Sequence, residues 1–338
     1  MHDPVRQHPE EKFKRAGLYG NPPCPICGGN WCGYNSFLCS CMREDKGSFK
    51  TVIQPKTGKP AYQHWLKPGT VNYSKSDELD MPIEVIASVE KLDRVYRELL
   101  NLLSLYQEHK EDLLRRGLTE GDIKKNGYKS IPKIIKPWDI CKKLKDIGYD
   151  LSGVPGFYKA DGKYEGTYWT FSWKPGYFIP MLDAKGRIQA LQRRIENPKE
   201  GEPKYMLLSS SGKKGGGNSG TPAHVARPAE IRDRIIWITE GPLKADIAAK
   251  YLGAVVIGLM SAGTWVQALE VVDELSPEEV ITAYDMDFKT NKLVNKPLEL
   301  LKGELKEKGL VVRQATWDEV KGIDDALVGG KKITIGGR

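Results

Sequence analysis

Long apolar runs are missing from this 338-residue chain. No stretch approaches the roughly 18 residues that span a bilayer. Met1-His2-Asp3-Pro4 opens no apolar signal core, so a cytoplasmic protein with no membrane partner is the default expectation. Cysteine is scarce as well: there are six, and five of them fall between Cys24 and Cys41. A chain with one other cysteine in its remaining 300 or so residues does not read as a disulfide framework. The sixth, Cys141, reads as a buried small hydrophobe. A phosphate-binding G-x-x-x-x-G-K-[ST] loop is also absent, because Gly212-Lys213-Lys214 lacks the preceding glycine spacing and the Ser/Thr. There is no internal repeat and no coiled-coil heptad.

What is present is ordinary for a globular protein: 40% hydrophobic residues, 28% charged, and a net charge of +8. The length allows two or three domains. The charge is uneven. Residues 1–75 hold 11 Lys/Arg against 5 Asp/Glu, so most of the excess sits there. Such an excess is compatible with a polyanionic partner without establishing one.

The same N-terminal piece carries a C-x2-C knuckle, Cys24-Pro25-Ile26-Cys27-Gly28, with Cys32, Cys39 and Cys41 close behind. A tetrahedral Zn²⁺ takes four soft ligands from two tight turns, and this spacing supplies them. Cys24 and Cys27 form the first half. Cys32 and Cys41 are favoured for the second, with Cys39 the spare. Four ligands close the coordination sphere, so the expected zinc is structural. His64 is a remote ligand candidate and reads better as a surface or nucleic-acid contact. Aromatics (Trp31, Tyr34, Phe37, Tyr62, Trp65) are frequent in residues 21–66, a segment too small to build a core unaided.

Along the chain, 1–67 reads as a zinc-binding ribbon and 68–80 as a linker. Residues 81–230 read as a helical and α+β part, and 231–338 as a parallel α/β domain. In the second part, apolar residues from Ile83, Val85, Ile86 and Val89 through Leu105 recur at three- and four-residue spacing and predict helix. A helix closes at Gly117 and another opens at Thr119. Ile134 to Ile147 predicts a further helix. Tyr168–Trp173 and Tyr177–Leu182 predict strands, Asp183–Gly186 a turn, and Arg187–Arg194 the returning strand. Pro203–Leu208 is a further candidate strand. Ser209–Thr221 is a basic Ser/Gly loop. Strands at 235–239, 254–258, 280–284 and 310–315 then alternate with helices at 243–251, 264–275 and 295–308, which implies a parallel sheet. Trp237 and Trp265 are expected in the core.

The chemistry sits at two strand ends. Ile235–Thr239 runs into Glu240-Gly241, and Val280–Tyr284 runs into Asp285-Met286-Asp287. Open α/β sheets bind ligands at the carboxyl ends of their strands. Three carboxylates gathered there repel one another unless a cation lies between them. Hard oxygen ligands suit Mg²⁺ or Mn²⁺, usually with phosphate as co-ligand, and point to phosphoryl or nucleotidyl chemistry.

Glu240-Gly241 followed by Asp285-x-Asp287, each at a strand end with helix–strand–helix between, resembles the toprim domain shared by primases, topoisomerases and related nucleases. Gly258–Gly263 falls where a glycine-containing turn closes the middle strand. Lys321-Gly322-Ile323-Asp324-Asp325 resembles the later acidic element of that fold, although Asp324 would also serve as a helix N-cap. Lys244 departs from the pattern, since many toprim enzymes keep an acidic residue there, and Phe288–Asn291 replaces a glycine that usually follows D-x-D. Tyr177–Arg187, with the onward spacing to Arg194 and Pro203-Lys204-Tyr205, resembles the strand–turn–strand of bacterial and phage primases. The order zinc ribbon, basic α/β segment and toprim is that of bacterial-type primases. The run Glu240–Asp246, E-G-P-L-K-A-D, resembles primase-like proteins of plasmids, phages and other mobile elements, where a lysine at 244 is expected.

That resemblance implies a DNA primase that makes short primers from nucleoside triphosphates on single-stranded DNA, with unwinding left to a separate helicase. Glu240, Asp285 and Asp287 would hold Mg²⁺ or Mn²⁺, assisted by Asp324 and Asp325. Arg194, Lys204, Lys213, Lys214 and Lys244 would meet template or triphosphate. A toprim nuclease would use the same carboxylates. A non-catalytic DNA-binding replication or mobilisation factor would use only the ribbon. A type I topoisomerase is disfavoured, because it needs a tyrosine nucleophile in a further domain.

Overall fold

The computed structural model describes residues 13–17, 21–30, 32–35, 38–48, 50–54, 59–66, 87–162 and 166–336. The linker expected at 68–80, the helical residues Ile83, Val85 and Ile86, and the aromatics Trp31 and Phe37 lie outside them. The chain divides into two compact units, Met1–Met81 and Pro82–Arg338. No helix of the described residues is long and apolar enough to cross a membrane.

The first unit is a small antiparallel sheet. Its strands are β1 (Lys14–Arg15), β2 (Gly33–Tyr34), β3 (Leu38–Cys41), β4 (Lys50–Ile53) and β5 (Pro60–Trp65), in the order β1-β2-β3-β5-β4. Its core is little more than Ala16, Tyr34, Leu66 and the cysteines. His64 is not the surface residue expected. It is 4% exposed, and its Nε2 lies 2.8 Å from the Glu44 carbonyl.

The second unit opens with helices α1 (Val89–Asn101), α2 (Gln107–Arg115) and α3 (Glu120–Asn126). The apolar spacing up to Leu105 is therefore not one helix. The chain leaves the helix at Leu102, and Tyr106 starts the next in an extended conformation, its amide donating to Ser130 Oγ at 2.8 Å. Thr119 caps α3 in a reciprocal box with Asp122. After β6 (Lys129–Ser130), helix α4 (Pro137–Asp146) begins three residues later than expected. Lys136 stands before proline and is extended, which suits Pro137 as the first helical residue and leaves Ile134 and Ile135 exposed.

Strands β7 (Phe157–Asp161) and β8 (Thr167–Phe171) form a hairpin. Strands β9 (Gly176–Leu182), β10 (Ile188–Ile195) and β11 (Tyr205–Leu207) join β6 in a four-stranded sheet ordered β11-β10-β9-β6. Leu92, Tyr96, Leu99, Leu144, Phe157, Phe178 and Leu191 pack α1, α4 and these strands into one core.

The remainder is a six-stranded sheet. It comprises β12 (His224–Ala226), β13 (Ile235–Glu240), α5 (Pro242–Leu252), β14 (Val255–Leu259), α6 (Val266–Leu275), β15 (Glu279–Thr282), α7 (Lys292–Glu307), β16 (Val311–Thr316), α8 (Ile323–Val328) and β17 (Thr334–Gly336). The order is β12-β14-β13-β15-β16-β17, with the four inner strands parallel. The chain moves from β13 to β14 on one side, then crosses back to β15 on the other. Helix α5 packs with α8, and α6 with α7. The carboxyl ends of β13 and β15 therefore flank the point where strand order reverses, which is where such sheets form a crevice. Trp237 and Trp265 are buried, as is Cys141.

Two local expectations change. Gly258 lies inside β14 rather than in the turn after it. A Cβ there would meet Ala245 Cβ at 2.8 Å and the Gly241 carbonyl at 2.9 Å, so the glycine lets α5 press onto the sheet. Asp324 is not the cap of α8. Gly322 holds that position, and Asp324 follows two residues later.

Candidate functional site

The acidic edge is assembled from three chain segments. Glu240 ends β13, and its signature glycine is needed at once. Gly241 adopts φ +95, a conformation that L side chains avoid, and turns the chain directly into α5. Asp285 follows β15 and starts the 3-10 turn Met286–Lys289. The Met286 amide donates to the Lys321 carbonyl at 3.0 Å, which fastens this turn to the loop leading into α8. Asp324 arrives in the first turn of α8, just after that loop. It is 7% exposed, whereas its neighbour Asp325 points to solvent.

The carboxylates share one electrostatic environment. Burial pushes the Glu240 pKa up, Asp285 and Asp287 add to the rise, and Lys244 opposes it. Burial likewise raises Asp324, with Lys244 pulling it back and Asp325 pushing it further. Two lysines neutralise the edge. Lys244 Nζ donates to Asp285 Oδ1. Lys321 Nζ lies 2.8 Å from Asp287 Oδ2 and 3.5 Å from Asp285 Oδ2, and its pKa is raised chiefly by the bond to Asp287.

Three buried oxygens of this cluster have no hydrogen-bond donor: Glu240 Oε1, Asp287 Oδ1 and Asp324 Oδ1. Unpaired buried carboxylate oxygens are costly unless a cation completes them. Their chemistry is that of ligands for a hard divalent ion, whereas among the described residues the four cysteines are the group whose ligand atoms converge closely enough to hold a metal. The other Glu240 oxygen accepts from the Ala262 amide at 3.2 Å.

The cysteine knuckle forms a separate centre in the first unit. The Sγ atoms of Cys24, Cys27, Cys32 and Cys41 all lie within 4.8 Å of one another. Amides aim at the sulfurs: Met42 N to Cys32 and Glu44 N to Cys41, each at 3.3 Å. Burial pushes the Cys24 thiol up, but hydrogen bonds from the backbone at Cys27 and Ile26 and from Cys32 and Cys39 together bring the net direction down. Four soft ligands with amide donors around them suit a tetrahedral zinc. Cys39 shares a strand face with Cys41 and sits 3.6 Å from Cys24, yet lies outside the four.

The basic residues fare differently. Arg194 Nη1 is 3.1 Å from Asp112 Oδ2, and its guanidinium stacks 5.6 Å from the Tyr177 ring. Part of its charge is therefore already matched. Lys204 is exposed at the start of β11. Lys213 sits 3.7 Å above the Tyr158 ring. The carbonyl of Lys214 accepts from the Lys159 amide at 2.8 Å, which ties the Gly-rich loop to β7.

Sequence reasoning missed two features. Lys321 was visible only as part of a motif, with no role. The buried group His224–Asp246–Tyr128 carried no local signal, because its members lie 22 and 118 residues apart.

No protein-family model matches the sequence, and no curated protein matches it. Among solved structures, the chain is similar to the zinc-binding and RNA polymerase domains of the Aquifex aeolicus primase. The TM-score is 0.52 at 16% identity, over 74% of this chain and 63% of that one. It thus spans less than two thirds of that relative. The RNA polymerase domain of Mycobacterium tuberculosis primase DnaG gives 0.52 at 14% identity, covering 71% of this chain and 80% of that one. The same domain in complex with a double-stranded DNA oligomer with a 6-nucleotide overhang gives 0.50 at 12% identity, over 73% and 82%. The fold of this chain, a four-cysteine unit followed by a mixed α/β core, is that of the zinc-binding and RNA polymerase domains of bacterial primases.

Proposed function

We propose that the protein is a DNA primase, synthesising short primers from nucleoside triphosphates on single-stranded DNA with Mg²⁺ or Mn²⁺. The observation that carries the reading is the carboxylate edge itself. Glu240, Asp285 and Asp287 stand at the switch point of a primase-type fold, and Glu240 and Asp287 each have a buried oxygen that lacks a donor. Residues 231–338 form the toprim domain in this reading, 81–230 the rest of the catalytic core, 68–80 the linker and 1–67 the zinc ribbon.

A divalent ion at the edge would acidify the attacking 3′-hydroxyl and offset charge on the reacting phosphate. Glu240, Asp285 and Asp287 would hold it, and Asp324 would support them from the first turn of α8. Asp325, facing solvent, acts through its charge alone. Lys321, on an exposed loop, is free to leave its aspartates and meet a triphosphate oxygen. Lys204, Lys213 and Lys214 add positive charge for template or triphosphate. Arg194, held by Asp112 and Tyr177, offers its remaining donors in a fixed orientation. The ribbon would engage single-stranded template through charge and aromatic stacking, with a separate helicase supplying the strand.

The test is primer synthesis on random single-stranded templates, with rNTPs or dNTPs supplied separately. Asp285→Ala with Asp287→Ala is expected to abolish products while DNA binding persists. Unchanged synthesis in that variant rejects the assignment. Shortening of labelled single-stranded DNA by the wild type, with metal and without nucleotides, would show a nuclease on the same carboxylates.

A further inference from the structure

We infer that Lys244 is a built-in cation occupying the Asp285–Asp324 side of the carboxylate edge, so that the site holds one divalent ion rather than two. The inference rests on the metal-dependent reading above and sharpens it by fixing the ion number.

Two lysines contact the edge, and they are not equivalent. Lys321 is 62% exposed at its side chain and reaches Asp287 from a loop, an arrangement in which an ion pair is weak. An incoming ion displaces it at little cost. Lys244 is 25% exposed and rises from the first turn of α5. It contacts Asp285 Oδ1, and its charge also acts on Glu240 and Asp324.

The fold makes room for this ammonium. A Cβ on Gly322 would stand 3.3 Å from Lys244 Cε and Nζ and 2.3 Å from Asp324 Oδ1. Lys244 and Asp324 therefore converge over a residue that has no side chain. Asp324 is more than nine-tenths buried, and its Oδ1 has no hydrogen-bond donor. The cation acting on it is Lys244. A divalent ion on that side would have to share Asp285 with an ammonium already in contact, a like-charge encounter at short range. Glu240 Oε1 and Asp287 Oδ1, neither in contact with Lys244, are the other oxygens left without a donor.

The experiment counts ions rather than turnover. Mn²⁺ bound to the full chain, with its cysteine site loaded with zinc, is measured from loss of the free-ion electron paramagnetic resonance signal. Asp285→Asn with Asp287→Asn serves as the blank. Wild type is expected to bind one Mn²⁺ above the blank, and Lys244→Glu, which exchanges the ammonium for a ligand, two. Two ions in wild type, or one in a folded Lys244→Glu, overturns the inference while leaving the metal-dependent reading intact. No ion above the blank in wild type rejects that reading and the inference together. The wild-type count decides the matter even where Lys244→Glu fails to fold.

Discussion

His224 Nε2 donates to Asp246 Oδ1 at 3.0 Å, while its Nδ1 accepts the Leu182 amide at 2.9 Å. An amide N–H can only donate, so Nδ1 carries no proton and the ring is the neutral Nε2–H tautomer. Tyr128 completes the group by donating to Asp246 Oδ2 at 2.5 Å. The trio ties α5, the helix that carries Lys244, to β9, β12 and the end of α3. Asp246→Ala leaves two buried donors without an acceptor and is expected to cost about 3 kcal/mol. Urea unfolding measures it. A loss within about 0.5 kcal/mol would mean that the trio does not brace the helix.

Gly258 predicts a steric effect. Alanine there places Cβ against Ala245 and the Gly241 carbonyl, and α5 must lift from β14. Stability is expected to fall by about 1–3 kcal/mol. Glu240, one residue before Gly241, shifts with it, so Mn²⁺ affinity is expected to fall as well. Both are read on one preparation, by thermal melting and by ion titration.

The cysteine site predicts an asymmetric substitution series. Cys41→Ser removes one of the four convergent sulfurs, and bound zinc is expected to drop from one per chain to a small fraction. Cys39→Ala leaves the four intact and is expected to retain it. A chelator should unfold the first unit, whose core is mostly the cysteines themselves. Elemental analysis of the purified variants reads the first two outcomes and circular dichroism the third.

His109 predicts a pH dependence. Its Nδ1 lies 2.7 Å from Ser130 Oγ, and burial pushes its pKa below the ordinary value despite the pull of Glu196, 3.7 Å from Nε2. The neutral ring is the form the fold accommodates. Below the unfolded value of about 6.5 the unfolded chain takes up a proton that the folded chain resists. The stabilisation from this residue is full above that pH and is lost as pH falls. Chemical denaturation from pH 7.5 to 5 should show His109→Gln losing less stability on acidification than the wild type. Parallel curves would exclude the residue as a source of the slope.

Local features were legible in the sequence because their causes are local. The cysteine knuckle needs only short spacing. The Thr119 cap, the Asp183–Gly186 turn and the strand–helix alternation after residue 235 follow from neighbouring side chains and backbone preferences. The break between α1 and α2 was hidden, because apolar spacing continues across it while a Ser130 hydroxyl from β6 captures the Tyr106 amide. The place of Gly258 and the capping of α8 were hidden for a related reason. What decides them is the approach of α5 and the conformation of Gly322, and neither leaves a mark on the adjacent sequence.

By itself the sequence determined that carboxylates end two neighbouring strands and that cysteines cluster ahead of them, since periodicity and spacing operate over a few residues. Only the tertiary structure decided which charges meet. Lys244 reaches Asp285 across 41 positions, Arg194 is claimed by Asp112 across 82, and Lys321 closes over Asp287 from a different loop. Such pairings depend on where whole elements come to rest, and burial there sets their strength by removing the water that would otherwise screen them.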